Sequence, residues 1–240
     1  MPKLNSQRIN KILANYGICS RRKADHMIRD RKVLVNGSIA ELGTKVNLDS
    51  DIVHVNGKEL KSLKITSEVI LLNKPKNVLT TCSDNHDRKI ILDFLPEKYK
   101  KGFFPIGRLD FLSRGALLIT NNGEICYKLS HPKFQHKKIY FVKINGELNK
   151  NELDIWRSGI DLDGKKTLPC EIDLIKKDSK NTFLKVTIKE GRNRQIRRIV
   201  SLLGYKVIDL QRVVFANISL GDLKEGDWKL IDINTIKNIK

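Results

Sequence analysis

The stretch GRLDFLSRGALLITNNGE, residues 107–124, joins a Gly-led turn carrying Arg108 and Asp110 to an apolar run, ALLIT at 116–120. A short apolar run bounded by turn residues predicts a buried strand. Asn122-Gly123 predicts the turn that ends it. Asp110 therefore stands at the mouth of a buried strand, in a chain whose formal charge is +19. A carboxylate there is either a surface turn residue bonded to its own backbone or a reactive group facing a cleft. The four residues GRLD do not separate the two.

Similar runs recur on both sides of this stretch. VILLN (69–73), stopped by Lys74-Pro75, and FLKVTI (183–188) read as strands. KIYFVKING (138–146) alternates and ends in Asn-Gly, and KVIDLQRVVF (206–215) and WKLID (228–232) complete a sheet. Helices are predicted at 124–129, 151–156 and 193–203, the last with Ile196, Ile199, Val200 and Leu203 on one face. The mixture predicts an α+β domain over residues 68–240. Its largely antiparallel mixed sheet should leave a central cleft where loops converge.

Upstream, residues 7–15 carry Ile9, Ile12 and Leu13 at helical spacing, and Tyr16-Gly17 ends that helix. Ser20 reads as the N-cap of RRKADHMIRD, a second helix turning Ala24, Met27 and Ile28 inward. VLVNG (33–37) and IVHVNG (52–57) read as short strands, each closed by Asn-Gly. The first 32 residues hold nine Lys or Arg against Asp25 and Asp30. Residues 1–60 thus form a compact basic module, and the polar stretch 61–67 links it to the α+β domain.

The chain has 240 residues, with 46 Lys+Arg against 27 Asp+Glu. An excess of this kind attracts polyanions, nucleic acid foremost. No apolar run approaches the roughly 18–20 residues that a membrane span needs. The polar start lacks the apolar centre of a secretion signal, which places the protein in the cytoplasm, away from membranes. Cys19, Cys82, Cys126 and Cys170 form no CxxC pair and read as reduced thiols. His131 and His136 alone do not make a metal-ligand pattern, so no metal is expected. No exposed apolar stripe calls for a partner subunit, and a monomer is expected.

EGRNRQIRR, residues 190–198, puts Arg192, Arg194, Arg197 and Arg198 around a helix start. On a helix Arg194, Arg197 and Arg198 share a face. They repel one another unless an anion sits close by. That anion is a phosphate or a buried carboxylate such as Asp110; alternatively, the arginines line a solvated basic face. Spacing alone leaves these open.

Two resemblances bear on the choice. Asn15-Tyr16-Gly17, then Ser20-Arg21-Arg22-Lys23-Ala24, then Val33-x-Val35-Asn36-Gly37 resemble the RNA-binding module named after small-subunit ribosomal protein S4, over about residues 6–60. RNA contacts are expected from Arg8, Lys11, Arg21, Arg22 and Lys23. Across residues 69–232, GRLDFLSRGALLITNNGE, HPK (131–133), KKIYFVKI (137–144), EGRNRQIRR and LLGYKVIDLQRV (202–213) resemble, in order and spacing, the RsuA/RluB/RluE/RluF group of pseudouridine synthases.

The second resemblance implies an activity without metal or cofactor. One uridine of an RNA is detached at its glycosidic bond, the base is rotated, and carbon 5 is rejoined to the sugar. Asp110 matches the nucleophile, Tyr140 the tyrosine that packs on the flipped base, and Arg197 the arginine paired with the carboxylate. Arg108, Arg192, Arg194 and Arg198 are expected to contact RNA. The substrate implied is ribosomal RNA, with the large subunit ahead of the small. Leu112-Ser113 and Ala116 depart from many relatives without removing a reacting group. A non-catalytic ribosome-assembly factor would share the first sixty residues, and a synthase acting on tRNA would share the catalytic part.

Overall fold

The computed structural model describes residues 6–61, 66–237 and 239. Most of the expected linker, residues 62–65, lies outside the described residues. The chain divides into two units. One comprises residues 1–67 together with Glu97–Phe103, and the other Glu68–Pro96 together with Phe104–Lys240.

In the first unit β1 (Gln7–Arg8) leads into α1 (Ile9–Asn15), and α2 (Arg21–Arg29) comes next. Ser20 caps α2 as its composition predicts: the hydroxyl accepts from the Lys23 amide at 3.2 Å. The remaining elements are β2 (Val33–Val35), β3 (Ser38–Ile39), β4 (Lys45–Val46), β5 (Val53–Val55) and β6 (Lys58–Glu59). Strands β3-β2-β5-β6 form a four-stranded antiparallel sheet. Asn36-Gly37 and Asn56-Gly57 all adopt positive φ, the conformation a tight hairpin demands. Ile9, Ile12 and Leu13 of α1 meet Ala24 and Ile28 of α2 over Val33 and Val53, the core of this unit.

The second unit is built on a nine-stranded sheet. In chain order its elements are β7 (Val69–Lys74), β8 (Phe104–Ile106), β9 (Arg114–Thr120), α3 (Gly123–Ser130), β10 (Lys138–Asn145) and α4 (Lys150–Ser158). Next come β11 (Asp161–Leu162), β12 (Lys165–Lys166), β13 (Glu171–Lys177), β14 (Asn181–Ile188) and α5 (Gln195–Leu202). The chain continues through β15 (Val207–Phe215), β16 (Ile218–Ser219), β17 (Trp228–Ile231) and α6 (Ile233–Lys237). The sheet order is β13-β14-β10-β15-β9-β7-β17, with β16 beside β15 and β8 beside β9. Every pairing is antiparallel except β15 with β9, joined through Gln211 to Arg114 and Arg212 to Gly115. Gly115 has φ +107°, and a Cβ there would lie 2.2 Å from the Arg212 carbonyl oxygen. Only glycine permits this approach of the two backbones.

Strand β7 is buried at every position, as its unbroken apolar run requires. β10 alternates, with Tyr140, Val142 and Ile144 buried. β9 ends at Thr120 just before Asn122-Gly123, and the Asn122 side chain caps α3 by accepting from the Glu124 and Ile125 amides. Edge strand β13 was not anticipated, because its charge-rich sequence hides the alternation; such charge protects a sheet edge from pairing with another chain. Isolated apolar side chains are exposed on the sheet strands, among them Phe141, Leu174, Ile175 and Ile208.

Candidate active site

The loop holding Asp110 is tied down through its backbone. The Ser113 amide donates to the Asp110 carbonyl at 3.0 Å, closing the turn. The Thr80 hydroxyl donates to the Leu109 carbonyl at 2.7 Å, and the Asn77 amide to the Phe111 carbonyl at 2.8 Å. Beneath lies Lys74, fully buried at the end of β7. Its ammonium donates to the carbonyls of Pro75 (2.8 Å), Ser113 (2.9 Å) and Asp110 (3.3 Å). Burial pulls its pKa down to about 8, against the pull of Asp110 and Glu225. The turn is thus closed by main-chain groups, and the carboxylate is not used as a surface Asx-turn.

The carboxylate faces two arginines. Its Oδ2 lies 3.9 Å from Arg194 Nη1 and 4.0 Å from Arg197 Nε, the outer edge of ion-pair distance. Asp110 keeps 29 % of its side chain accessible, Arg197 only 11 %. The Arg197 guanidinium donates to the Leu112 carbonyl at 2.9 Å and the Ser113 hydroxyl at 3.3 Å, which sets its plane. Its Nε is buried and makes no hydrogen bond. Burial and the neighbouring Arg194 lower the Arg197 pKa, while Asp110 and Asp209 support its charge.

Arg194 reaches Asp110 by a route that helical spacing did not anticipate. It sits before α5 with φ 50° and ψ 31°, in the left-handed region, and the helix starts one residue later. Arg194, Arg197 and Arg198 therefore do not share a face. Arg198 turns away to Asp163 at 2.5 Å. Arg192, expected to contact RNA, lines the cleft, and its guanidinium donates to the carbonyls of Leu162, Lys165 and Lys166 and pairs with Glu190. It clamps the β11–β12 hairpin against the start of the arginine segment, and those acceptors already occupy its donors.

A cleft of about 180 Å³ opens at the β15–β9 join, lined by Asp110, Tyr140, Arg194, Lys138 and Arg212 among others. Tyr140 lies on its wall, 8 % exposed, where β10 shifts register against β15 between Ile139 and Tyr140. Two cations missed by sequence reasoning form the floor. Arg212 donates to the Ala116 carbonyl at 2.7 Å, lies 4.7 Å from the Phe215 ring, and keeps Nη2 buried without a partner. Lys138 donates to the His136 carbonyl at 2.9 Å, and burial, with Arg212 nearby, lowers its pKa to about 8. The signal available for Lys74, Lys138 and Arg212 was a cation inside or bounding an apolar strand pattern.

Arg108 lines the cleft and is exposed. In the first unit Arg8, Arg21, Arg22 and Lys23 are exposed and Lys11 is half-buried. Arg21, Arg22 and Lys23 make the first turn of α2, which contains no acidic residue. Cations at a helix N-terminus oppose its dipole. Among the described residues no group of three His, Cys, Asp or Glu side chains could hold a metal ion. No described helix is long and apolar enough to cross a membrane.

Comparison with known proteins identifies both parts of the chain. Residues 7–53 match the S4 domain, and residues 68–202 match the RNA pseudouridylate synthase family. The chain is 38 % identical to ribosomal large subunit pseudouridine synthase B of Bacillus subtilis, over 98 % of this chain and 96 % of that protein. It is 34 % identical to the dual-specificity RNA pseudouridine synthase RluF of Escherichia coli K12, over 94 % of this chain and 75 % of that protein. A crystal structure of a pseudouridylate synthase superposes with a TM-score of 0.69 at 26 % identity, covering 98 % of this chain and all of the other. The two family matches together span most of the chain, and the chain belongs to the RNA pseudouridylate synthase family.

Proposed function

We propose that this protein converts a uridine of large-subunit ribosomal RNA to pseudouridine, with Asp110 as the nucleophile. The observation that carries the reading is the Asp110 carboxylate, spared from its own turn and facing Arg194 and Arg197 at 3.9 and 4.0 Å. The large-subunit assignment rests on the Bacillus relative. The Asp110 carboxylate bonds to C1′ of the uridine as the N1–C1′ bond breaks, the base leaves with the electron pair on N1, and the freed base turns within the cleft. C5 then bonds to C1′, the C5 proton leaves to solvent, N1 gains a proton, and the carboxylate is released. Arg197 faces the carboxylate and orients it beside the apolar strand. Tyr140 offers a flat apolar face to the extruded base and a polar tip to one of its edges. Such a base costs least to extrude from a loop.

The first sixty residues would hold an RNA stem by its phosphates through Arg8, Lys11, Arg21, Arg22 and Lys23, in the cytoplasm and as a monomer. Arg108 and Arg194 would add contacts at the cleft. Similarity to a dual-specificity relative favours testing more than one RNA.

The test maps pseudouridines by carbodiimide labelling and primer extension. Unmodified large-subunit rRNA, small-subunit rRNA and tRNA are incubated with the wild type and with Asp110→Asn. A new stop in large-subunit rRNA is expected with the wild type. Asp110→Asn should lose activity by a factor on the order of 10⁴ while RNA binding persists. A stop in tRNA or small-subunit rRNA alone would move the substrate. Full activity in Asp110→Asn would remove the nucleophile assignment. No stop in any RNA would favour a non-catalytic assembly role.

A further inference from the structure

The end of α3 and the turn after it place an aromatic ladder against the cleft. His131, Pro132, Gln135 and His136 line the cleft itself. From the buried His136 the rings climb outward. Phe134 stacks on His136 at 5.9 Å and an interplanar angle of 17°. Tyr127 meets Phe134 edge-on at 5.9 Å and His131 at 4.9 Å. The outer members are open: Tyr127 is 48 % exposed, and His131 is exposed. A ring cluster serving only as core would not leave its largest polar-tipped ring in water.

Two features suit this rim to RNA. The Lys133 ammonium sits 4.8 Å from the Phe134 ring centre and 5.2 Å from that of Tyr127, a positive charge beside two aromatic rings. Single-stranded RNA needs that combination, a cation for the phosphate and a ring for the base. Gln135, exposed at the cleft edge, takes φ 47° and ψ 38° although it is not glycine. Gln135, whose side-chain amide is both donor and acceptor, lines the cleft.

We propose that Tyr127, His131 and Lys133 form a docking platform for the nucleotide adjacent to the target uridine in single-stranded RNA. The inference rests on the reading of the cleft as a uridine-isomerising site. A base flipped into the cleft leaves its neighbour without a stacking partner. The platform lies where that neighbour emerges. Its rings replace the lost stacking, and Lys133 meets the phosphate between the two nucleotides.

The experiment crosses protein and RNA changes. Substrates are oligonucleotides around the modified uridine, intact or abasic at either flanking position, and the proteins are wild type, Tyr127→Ala and Tyr127→Phe. At one flanking position the abasic change should lower wild-type kcat/KM about tenfold, the scale of one base–aromatic stack, chiefly through KM. Tyr127→Ala should lose the same on intact RNA and nothing more on the abasic RNA, while Tyr127→Phe keeps the wild-type rate. Binding is read in parallel with 2-aminopurine at that position, quenched by wild type and Tyr127→Phe and not by Tyr127→Ala. Multiplying losses, or a silent Tyr127→Ala with unchanged quenching, overturns the platform. A wild type that quenches the probe but makes no pseudouridine keeps the platform and overturns the reading of the reaction.

Discussion

Arg21, Arg22 and Lys23 in the first turn of α2 are exposed and stand against the dipole of their own helix. Lys74, Arg192, Arg197 and Arg212 in the second unit are buried or half-buried and donate to carbonyl oxygens of the chain. The chemistry of the side chains is the same, and their surroundings give them opposite uses. A cation at a helix N-terminus slightly destabilises its unit. A cation that donates to backbone acceptors positions loops and turns, and removing it leaves those acceptors bare. Charge counting alone assigns both groups to RNA, whereas hydrogen-bond accounting separates them.

The sharpest way to break this contrast is Lys74→Met. It strips the carbonyls of Pro75, Asp110 and Ser113 of their shared donor. A stability loss of about 3 kcal/mol in urea titration is expected, together with reduced activity as the Asp110 turn loosens. A second signature lies in pH. The folded pKa of Lys74 is lowered to about 8, below its unfolded value, so between the two the unfolded state binds the extra proton and folding is favoured as pH rises. The stability of wild type minus that of Lys74→Met should therefore grow from about pH 8 to about pH 10.5. A difference flat in pH would show that the buried ammonium is not desolvated.

Arg192→Met should cost less, about 1–2 kcal/mol, because the carbonyls of Lys165 and Lys166 it leaves lie in an exposed hairpin. The dependence of RNA affinity on salt should not change. A shallower salt slope would return Arg192 to the RNA-binding set. The smallest stability change, with the opposite sign, belongs to the triple variant Arg21→Gln, Arg22→Gln, Lys23→Gln. The first unit should gain up to about 1 kcal/mol from relief of the helix dipole. The plot of log affinity against log salt should become shallower by about 2–3. An unchanged slope would mean that these three side chains do not touch phosphate.

Periodicity and capping residues made much of the framework legible. Ser20 before α2, the two Asn-Gly hairpins and the apolar runs of β7 and β9 act locally, so neighbouring residues suffice to read them. Asp110 was legible as an anomaly, a carboxylate at the mouth of a buried strand. Lys74 and Arg212 were not. Their burial depends on carbonyls supplied by segments distant in sequence, Ser113 for one and Ala116 for the other. Arg194 misled for a related reason: a left-handed residue delays the helix and undoes the shared face that regular spacing predicts.

The sequence by itself determined most of the secondary structure, the basic character, the order of the family's motifs and the candidate Asp110, since each depends on residues close along the chain or on composition. Tertiary structure alone decided which cations are spent inside the protein and which remain available. It also decided that β15 and β9 join at Gly115, and that Arg194 and Arg197 converge on one carboxylate. Hydrogen bonds and ion pairs depend on distance in space, and the pairing of strands distant in sequence sets that distance.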